Sequence, residues 1–511
     1  MVKFTAVIIK QGDMKFYNRE HEIAKLREVR ELSYNDHSRL TVVTGRRRIG
    51  KTSLIGKAMG DEQFIYLFVG RKNESSLCAG YCKEIASKLG VFVPAMNSFQ
   101  EVFLFLMQQG ETRQFTLVID EFQEFFNITP SVYSDIQNYW DQYRLKTHIN
   151  FIVSGSIYSL MTKIFQHYHE PLFGRADVML KLNPFSLSVL KQIMADYAPT
   201  YTNDDLLALY TVTGGIPKYV ELLVDSKALS VKKIIRAVCD PDSPFKDEGK
   251  HLLVDEFGKQ YGTYFSILDA ISNGLNTQAE IAAALGEKSI GGQLKKLEET
   301  YEIIKKMRPI LAKRGTQTVR YEITDMFLRF WFRYFEGNRT LVEMNQFEVL
   351  DHIINEDYTT YSGKTLEEYF KQKFIESHEY RDMGSYWEAK KGKEQCEIDI
   401  VALRLEKNKA VVVEVKRQRK EFKPEAFAEK VQHLKDKLLP KYDIEQLCLT
   451  LDDMSLANAC FIEVNPIPVK EAVGLLGYNV GVPRAPLTVM EEANREKLIA
   501  EMKTYGLEIK A

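Results

Sequence analysis

The segment RLTVVTGRRRIGKTSLIG, residues 39–56, holds the densest set of residues able to do chemistry. A β-branched run from Leu40 to Thr44 leads into a loop in which Gly45, Gly50, Lys51 and Thr52 satisfy the spacing GxxxxGK[ST]. A helix-compatible apolar segment follows. Glycines in such a loop let consecutive backbone amides curl around a polyphosphate, and the positive end of the next helix adds to that field. Lys51 is then placed to reach the β- and γ-phosphates, and the Thr52 hydroxyl to bind magnesium. Arg46, Arg47, Arg48, Ile49 and Ser53 complete the loop as candidate nucleotide contacts, although the three arginine side chains could equally face a partner or water. The pattern predicts ATP with Mg2+ as the ligand.

Two later strands carry groups that such a loop needs. TLVIDEFQEF, residues 116–125, is an apolar strand ending in Asp120 and Glu121. Asp120 would hold magnesium through water, and Glu121 could orient and deprotonate the attacking water. FIVSGS, residues 151–156, ends in small hydroxyls. Ser154 could contact the γ-phosphate or the lytic water, or could simply cap the following helix.

A second constellation lies in the C-terminal part. Glu367 sits in the helical stretch GKTLEEYFKQKF, Asp399 in the apolar strand IDIVAL, and Glu414 and Lys416 in AVVVEVKRQ. Residues two apart on a strand share a face, so Glu414 and Lys416 point the same way. A carboxylate on one strand beside ExK on its neighbour is the PD-(D/E)xK nuclease arrangement. Asp399 and Glu414 would bind magnesium, and Lys416 would position water and stabilise the phosphorane charge. Glu367 would be a supporting acid from the helix. Asp399 and Lys416 occur within very apolar strands, where unpaired charge is costly. The competing expectation is a nuclease-derived domain retained for binding. Arg417, Arg419, Lys420 and Lys423 would suit a phosphate backbone, or form a solvated face.

The remainder of the chain must position these groups. With 511 residues, three or four domains are expected. Hydrophobic residues at 45%, charged residues at 27% and a net charge of −1 describe an ordinary globular protein with no global field toward nucleic acid or membrane. The six cysteines form no CxxC pairs, which argues against zinc and against a disulfide framework. The early apolar run FTAVII is too short to span a bilayer, and a cytoplasmic protein is expected. Residues 186–257 read as helices from apolar residues three and four apart. Residues 264–323 read as three helices and a hairpin, with Thr277 and Glu280 as a capping box, a winged helix-turn-helix pattern. Its third helix carries Lys295 and Lys296, suited to DNA, and Glu298 and Glu299, which would repel it. The aromatic stretch FLRFWFRYF, residues 327–335, is expected to be core rather than a base-stacking platform.

The order of FYNRE (16–20), GRRRIGKT, VIDEFQEF, FIVSGS, FGRA (173–176) and TGGIPKY (213–219) resembles an AAA+-related ATPase family common in archaea and Bacteroidetes, akin to STAND-type signalling ATPases. The resemblance covers about residues 16–335. It implies that Asn18 and Arg19 lie near the nucleotide base and that Arg175 resembles an arginine finger, which would act in an ATP-dependent homo-oligomer. It also implies that Gly215, Ile216 and Pro217 form a lid motif near the nucleotide. The intradomain alternative for Arg175 is a plain salt bridge. The family's C-terminal domain also carries the nuclease-type motif, with DNA as the implied partner. The expected architecture is α/β: an N-terminal extension (1–15), a P-loop AAA+ core (16–185), a helical lid (186–257), a winged helix with a connecting helix (258–340) and a restriction-endonuclease-like α/β domain (345–454). Residues 455–511 resemble the end of dihydrodipicolinate synthase, most closely over NPIPVKEA (465–472) and PRAPLT (483–488). That enzyme's catalytic motifs are missing, so a fusion remnant of two loosely docked helices is expected, with no synthase activity.

Overall fold

The computed structural model describes residues 14–60, 62, 64–313, 318–388, 396–455, 467–483, 487–504 and 507–510. Cys460, most of the 1–15 extension and parts of both synthase-like motifs lie outside the described residues. Among the described residues no helix is long and apolar enough to cross a membrane.

The N-terminal part is built on a parallel sheet of β1 (Arg39–Thr44), β2 (Ile65–Phe68), β3 (Gln114–Asp120), β4 (His148–Gly155) and β5 (Val178–Lys181), in the order β2-β3-β4-β1-β5. Parallel sheets are covered on both faces, which is why β1, β3 and β4 read as continuous apolar runs. Val42, Val43, Leu117, Val118, Ile152 and Val153 are fully buried. Each such side chain contributes about 1.5–3 kcal/mol of burial. The order places β4 between β1 and β3, so Ser154 stands between the phosphate loop and Asp120. The α/β core expected from the sequence is therefore present.

Helices Leu187–Tyr197, Asn203–Thr213, Pro217–Asp225, Val231–Val238 and Phe245–Phe257 follow. Then come Tyr261–Ser272, Gln278–Ala284 and Gly291–Glu299, and an antiparallel pair, β6 (Ile304–Met307) with β7 (Arg320–Ile323). The capping box of Thr277 and Glu280 forms as its sequence spacing predicts. The aromatic stretch is core: Phe327, Phe330, Trp331, Phe332, Tyr334 and Phe335 are all buried.

The C-terminal sheet has the order β11-β10-β9-β8, from β8 (Tyr380–Trp387), β9 (Glu397–Arg404), β10 (Lys409–Val415) and β11 (Asp443–Leu449). β10 is parallel to β11 and antiparallel to β9. Alternation along β10 divides its side chains between two cores. Val411, Val413 and Val415 join the large core of the helical region and the 30-residue helix Phe347–Glu376, while Ala410 and Val412 face helix Pro424–Leu438. One continuous apolar core thus runs from Tyr17 through the helices to the C-terminal sheet.

A charged network sits where β6–β7 meet the long helix. Lys305 lies 3.4 Å from Glu368 and 3.6 Å from Glu322, and Lys364 lies 3.1 Å from Glu367 and 3.7 Å from Glu322. Burial alone would raise the pKa of Glu368, but Lys305, Lys371, Arg329 and Lys364 outweigh it and pull the group down to about 2. Helices Ile467–Leu475 and Glu492–Thr504 pack on each other around Leu475, Leu498 and Met502, forming a small core of their own.

Candidate functional site

β1 delivers the chain into the loop at Gly45, whose φ is +149°. A Cβ there would stand 3.0 Å from the Leu182 carbonyl oxygen. Gly50, at φ +89°, turns the chain into helix Lys51–Met59. Only glycine takes these conformations without strain. Arg48, at φ +66°, accepts that strain with a full side chain. Lys51 is buried and bridges the loop, its Nζ donating to the carbonyls of Gly45 (2.8 Å) and Arg46 (3.2 Å). Burial lowers its pKa to about 8, against the opposing charges of Glu121, Asp120 and Glu256.

Asp120 is the hub of the acidic side. Its Oδ2 accepts from Thr52 Oγ1 (3.0 Å) and from the Tyr66 hydroxyl (2.5 Å), and its Oδ1 accepts from Ser154 Oγ (2.5 Å). Thr52, Asp120 and Ser154 are thus brought together, with Ser154 bound to Asp120 rather than capping a helix. Glu121 sits at φ +56° directly after β3, and its Oε2 accepts from Gln123 Nε2 (2.5 Å) and Ser156 Oγ (2.7 Å). Tyr66, Gln123 and Ser156 were not read from the sequence. Ser156 carried a signal, the second hydroxyl of FIVSGS, whereas Tyr66 reaches Asp120 only because β2 neighbours β3. Burial, with the Asp120 carboxylate, pushes the Tyr66 phenol far up and keeps it a donor.

The three loop arginine side chains each pair with an acid, Arg46 and Arg48 half-buried and Arg47 still exposed. Arg46 pairs with Asp325 (2.7 Å) and donates to the Glu302 carbonyl (2.8 Å). Arg47 pairs with Asp255 (2.5 Å), and Arg48 grips Glu248 through Nε (2.5 Å) and Nη2 (2.7 Å). Glu248 also accepts from the Tyr219 hydroxyl, and its side chain is 3% exposed. Acids from the helical region and the β7 end thus pair with all three side chains. The Ile49 side chain packs into the apolar layer beneath the sheet with Leu54 and Val118, and Ser53 lies in the first turn of the loop's helix.

Asn18 and Arg19 both have positive φ, and Arg19 is buried, donating to the Asn183 carbonyl (2.5 Å) with its guanidinium over the Phe185 ring. Phe185 N–H in turn donates to the Gly215 carbonyl (2.8 Å), and a Cβ on Gly215 would meet Phe185 O at 2.4 Å. Pro217 starts its helix at the first position, and Lys218 N–H donates to Arg48 O (3.3 Å). Arg19 and the Gly215 turn are thus linked through Phe185, and Lys218, next to Pro217, touches the phosphate loop. Arg175 is bound within its own domain: it pairs with Asp141 (2.7 Å) and donates to the carbonyls of Pro171 and Phe173. The intradomain salt bridge is the arrangement seen.

In the C-terminal sheet Asp399, on β9, stands one step beyond the Val413–Ile400 pair and accepts from Val415 N–H (2.8 Å). Lys416 Nζ lies 2.9 Å from Glu414 Oε1, and Lys430, from helix Pro424–Leu438, lies 3.4 Å from the same atom. Burial, with the charges of Glu367 and Glu414, raises the Asp399 pKa to about 6. Burial would lower Lys416, but Glu414, Asp399 and Glu367 leave it raised. Glu414 Oε2 is buried without a hydrogen-bond partner among the described residues. A buried orphan carboxylate oxygen beside an acid pushed toward protonation suits a cation. No three His, Cys, Asp or Glu side chains gather at metal-holding spacing among the described residues, so two carboxylates would need water or phosphate oxygens beside them. Of the basic run, Arg417 and Arg419 are paired with Asp204 and Asp453.

The sheet order, the phosphate loop and the Thr52–Asp120 contact define a P-loop ATPase. Residues 16–223 match the model of an ATPase domain predominantly from Archaea, and residues 331–427 match one described as archaeal and bacterial proteins of unknown function. Over 411 residues the chain is 31% identical to an uncharacterized protein of Methanocaldococcus jannaschii, MJECL04, a match covering 78% of this chain and 87% of that one. The chain belongs to this archaeal-type P-loop ATPase family. It is similar in structure to the Walker-type ATPase PABY2304 of Pyrococcus abyssi, at 20% identity and a TM-score of 0.48, covering 62% of this chain and 96% of that chain. A 62-residue stretch is 53% identical to 4-hydroxy-tetrahydrodipicolinate synthase of Caldicellulosiruptor bescii. It spans 12% of this chain and only 21% of that enzyme.

Proposed function

We propose that this ATPase is a nucleotide-driven switch controlling a magnesium-dependent, nuclease-like C-terminal domain that acts on nucleic acid. In the ATPase half the loop amides and Lys51 bind the phosphates, and Thr52 and Asp120 hold magnesium. Glu121 orients the attacking water, with Ser154 supporting Asp120. Asn18 and Arg19 lie near the base, Gly215 and Pro217 form a lid motif near the nucleotide, and residues 258–340 serve as a winged helix with its connecting helix. Arg175 acts as a finger only if it leaves Asp141 in an ATP-dependent oligomer.

The observation that carries the nuclease reading is the Lys416–Glu414 pair (2.9 Å), whose other carboxylate oxygen is buried without a partner among the described residues, with Asp399 near enough to feel the charges of Glu367, Glu414 and Lys416. Magnesium bound there would supply Lewis-acid activation of a phosphodiester and of water. Asp399 and Glu414 would hold it, Lys416 would steady the developing phosphorane charge, and Glu367 would be a supporting acid from the helix. The test is incubation with plasmid and oligonucleotides plus magnesium, with and without ATP, beside Lys416→Ala and Lys51→Ala. Cleavage lost in Lys416→Ala supports the reading. ATP turnover without cleavage under any condition refutes it. A second reading, a non-cleaving signalling or scaffold ATPase whose C-terminal domain only binds DNA or a protein, draws on the lack of a third metal-holding side chain among the described residues.

A further inference from the structure

Arg417 follows the candidate catalytic lysine directly, yet it points away from the acid cluster. Its guanidinium lies 2.8 Å from Asp204 Oδ1, donates to Ser362 Oγ (2.5 Å), and covers the Tyr358 ring at 5.3 Å. The Tyr358 hydroxyl donates to the same Asp204 oxygen (2.8 Å). The Arg417 side chain is 9% exposed, too enclosed for a solvated charge or a phosphate-backbone contact. Neighbouring contacts repeat the connection. Asn203 Nδ2 donates to the Leu451 carbonyl (2.9 Å), and Ser455 Oγ donates to Asn203 Oδ1 (3.0 Å). The ends of β10 and β11 are thereby fastened to the first turn of helix Asn203–Thr213.

The other end of that helix belongs to the nucleotide site. Thr213 Oγ1 accepts from Gly215 N–H (3.1 Å), Gly215 O accepts from Phe185 N–H, and two residues beyond Ile216 the Lys218 N–H reaches Arg48 O. Between the ends, Leu206, Leu207, Ala208, Leu209, Thr211 and Val212 are buried, so the helix is gripped along its length. Eleven helical residues span about 16 Å and transmit displacement as a rigid body.

We propose that Arg417 is a positioning residue for Lys416, and that helix Asn203–Thr213 carries the nucleotide state of the phosphate loop to the C-terminal acid cluster through the Asp204–Arg417 pair. The functional meaning of this link rests on the nuclease-like reading above; the mechanical link does not. Phosphates entering the loop compete with the Gly45 and Arg46 carbonyls for Lys51, and the loop's rearrangement is passed through the contact of Lys218 N–H with Arg48 O to Gly214–Lys218. The helix then moves Asp204, and Arg417 passes the shift to Lys416, whose N–H is held by Leu449 O (2.9 Å).

The test measures backbone hydrogen exchange over residues 413–418 in the full chain, with and without a non-hydrolysable ATP analogue and magnesium. The wild type, Asp204→Asn and Arg417→Lys are compared, with analogue affinity measured for each. The expected result is an analogue-dependent change of about fivefold or more in the wild type. It should be lost in Asp204→Asn at unchanged analogue affinity and partly restored in Arg417→Lys, which keeps charge but not the fork. A purely structural contact would shift stability without removing nucleotide dependence. An unresponsive wild-type strand end, or a full response in Asp204→Asn, overturns the proposal. Should Asp204→Asn not fold, Arg417→Lys alone decides: an undiminished response overturns it, a reduced one supports it. A responsive strand end in a protein that never cuts DNA sustains the link while refuting the nuclease reading.

Discussion

The phosphate loop and the C-terminal acid cluster hold opposite surpluses of charge, and each is balanced differently. Arg46, Arg47 and Arg48 are matched one by one with Asp325, Asp255 and Glu248, which lie 200 or more residues away in sequence. The C-terminal cluster balances itself incompletely: Lys416 and Lys430 share one oxygen of Glu414, its other oxygen has no partner, and Asp399 is driven toward protonation. Acids stabilise the first site and strain the second. The charges of the first are matched by its own chain, while one carboxylate oxygen of the second is left unmatched among the described residues.

The largest break in that contrast is Lys51→Ala, which removes the buried ammonium serving the phosphates. ATP turnover should fall about a hundredfold or more; a steady-state assay retaining a tenth of wild-type activity would contradict the assignment. Next, Glu248→Ala strands Arg48 beside the Tyr219 hydroxyl. A buried pair broken on one side costs about 3–5 kcal/mol, reduced here to about 2–3 because Arg48 is partly exposed. Thermal unfolding of the ATPase half should move down by several degrees.

Glu368 tests the junction between the two regions. Its pKa of about 2 lies below the ordinary carboxylate value, so its stabilising contribution is fully present above about pH 4.5 and fades as pH falls toward 2. Glu368→Gln should lower stability by on the order of 2 kcal/mol near pH 6, by about half as much near pH 3 and hardly at all near pH 2. Melting curves across that range check the convergence. The smallest effect has the opposite sign. Asp399→Asn relieves the burial of a charged carboxylate and its repulsion from Glu367 and Glu414 and should raise magnesium-free stability by about 1 kcal/mol, while calorimetry should show weaker magnesium binding. A destabilised Asp399→Asn would mean that the second site is balanced like the first.

The two sites also differed in how well the sequence announced them. Phosphate binding by backbone amides is local chemistry, so Gly45 to Thr52 reveal it in eight consecutive residues, and the β3 terminus supplies Asp120. The alternation of β10 likewise placed Glu414 and Lys416 on one face. The partners of the arginines were not legible, because Glu248, Asp255 and Asp325 acquire meaning only when helix Phe245–Phe257 and the β7 end close over the loop. Tyr66 was hidden for the same reason, since strand order and not spacing brings it to Asp120. Arg417 looked like one member of a basic run, and its burial against Asp204 is a tertiary fact that no charge pattern encodes.

The continuous apolar core shared by the helices and the C-terminal sheet limits how this chain can be cut or recombined. Separating it near residue 346 would strip the long helix of its partners and bare Phe347, Leu350 and Ile354 together with Val411 and Val413 of β10. Each fragment would then carry a greasy scar prone to clumping. Exchange of the C-terminal sheet for another domain would have to carry the long helix with it.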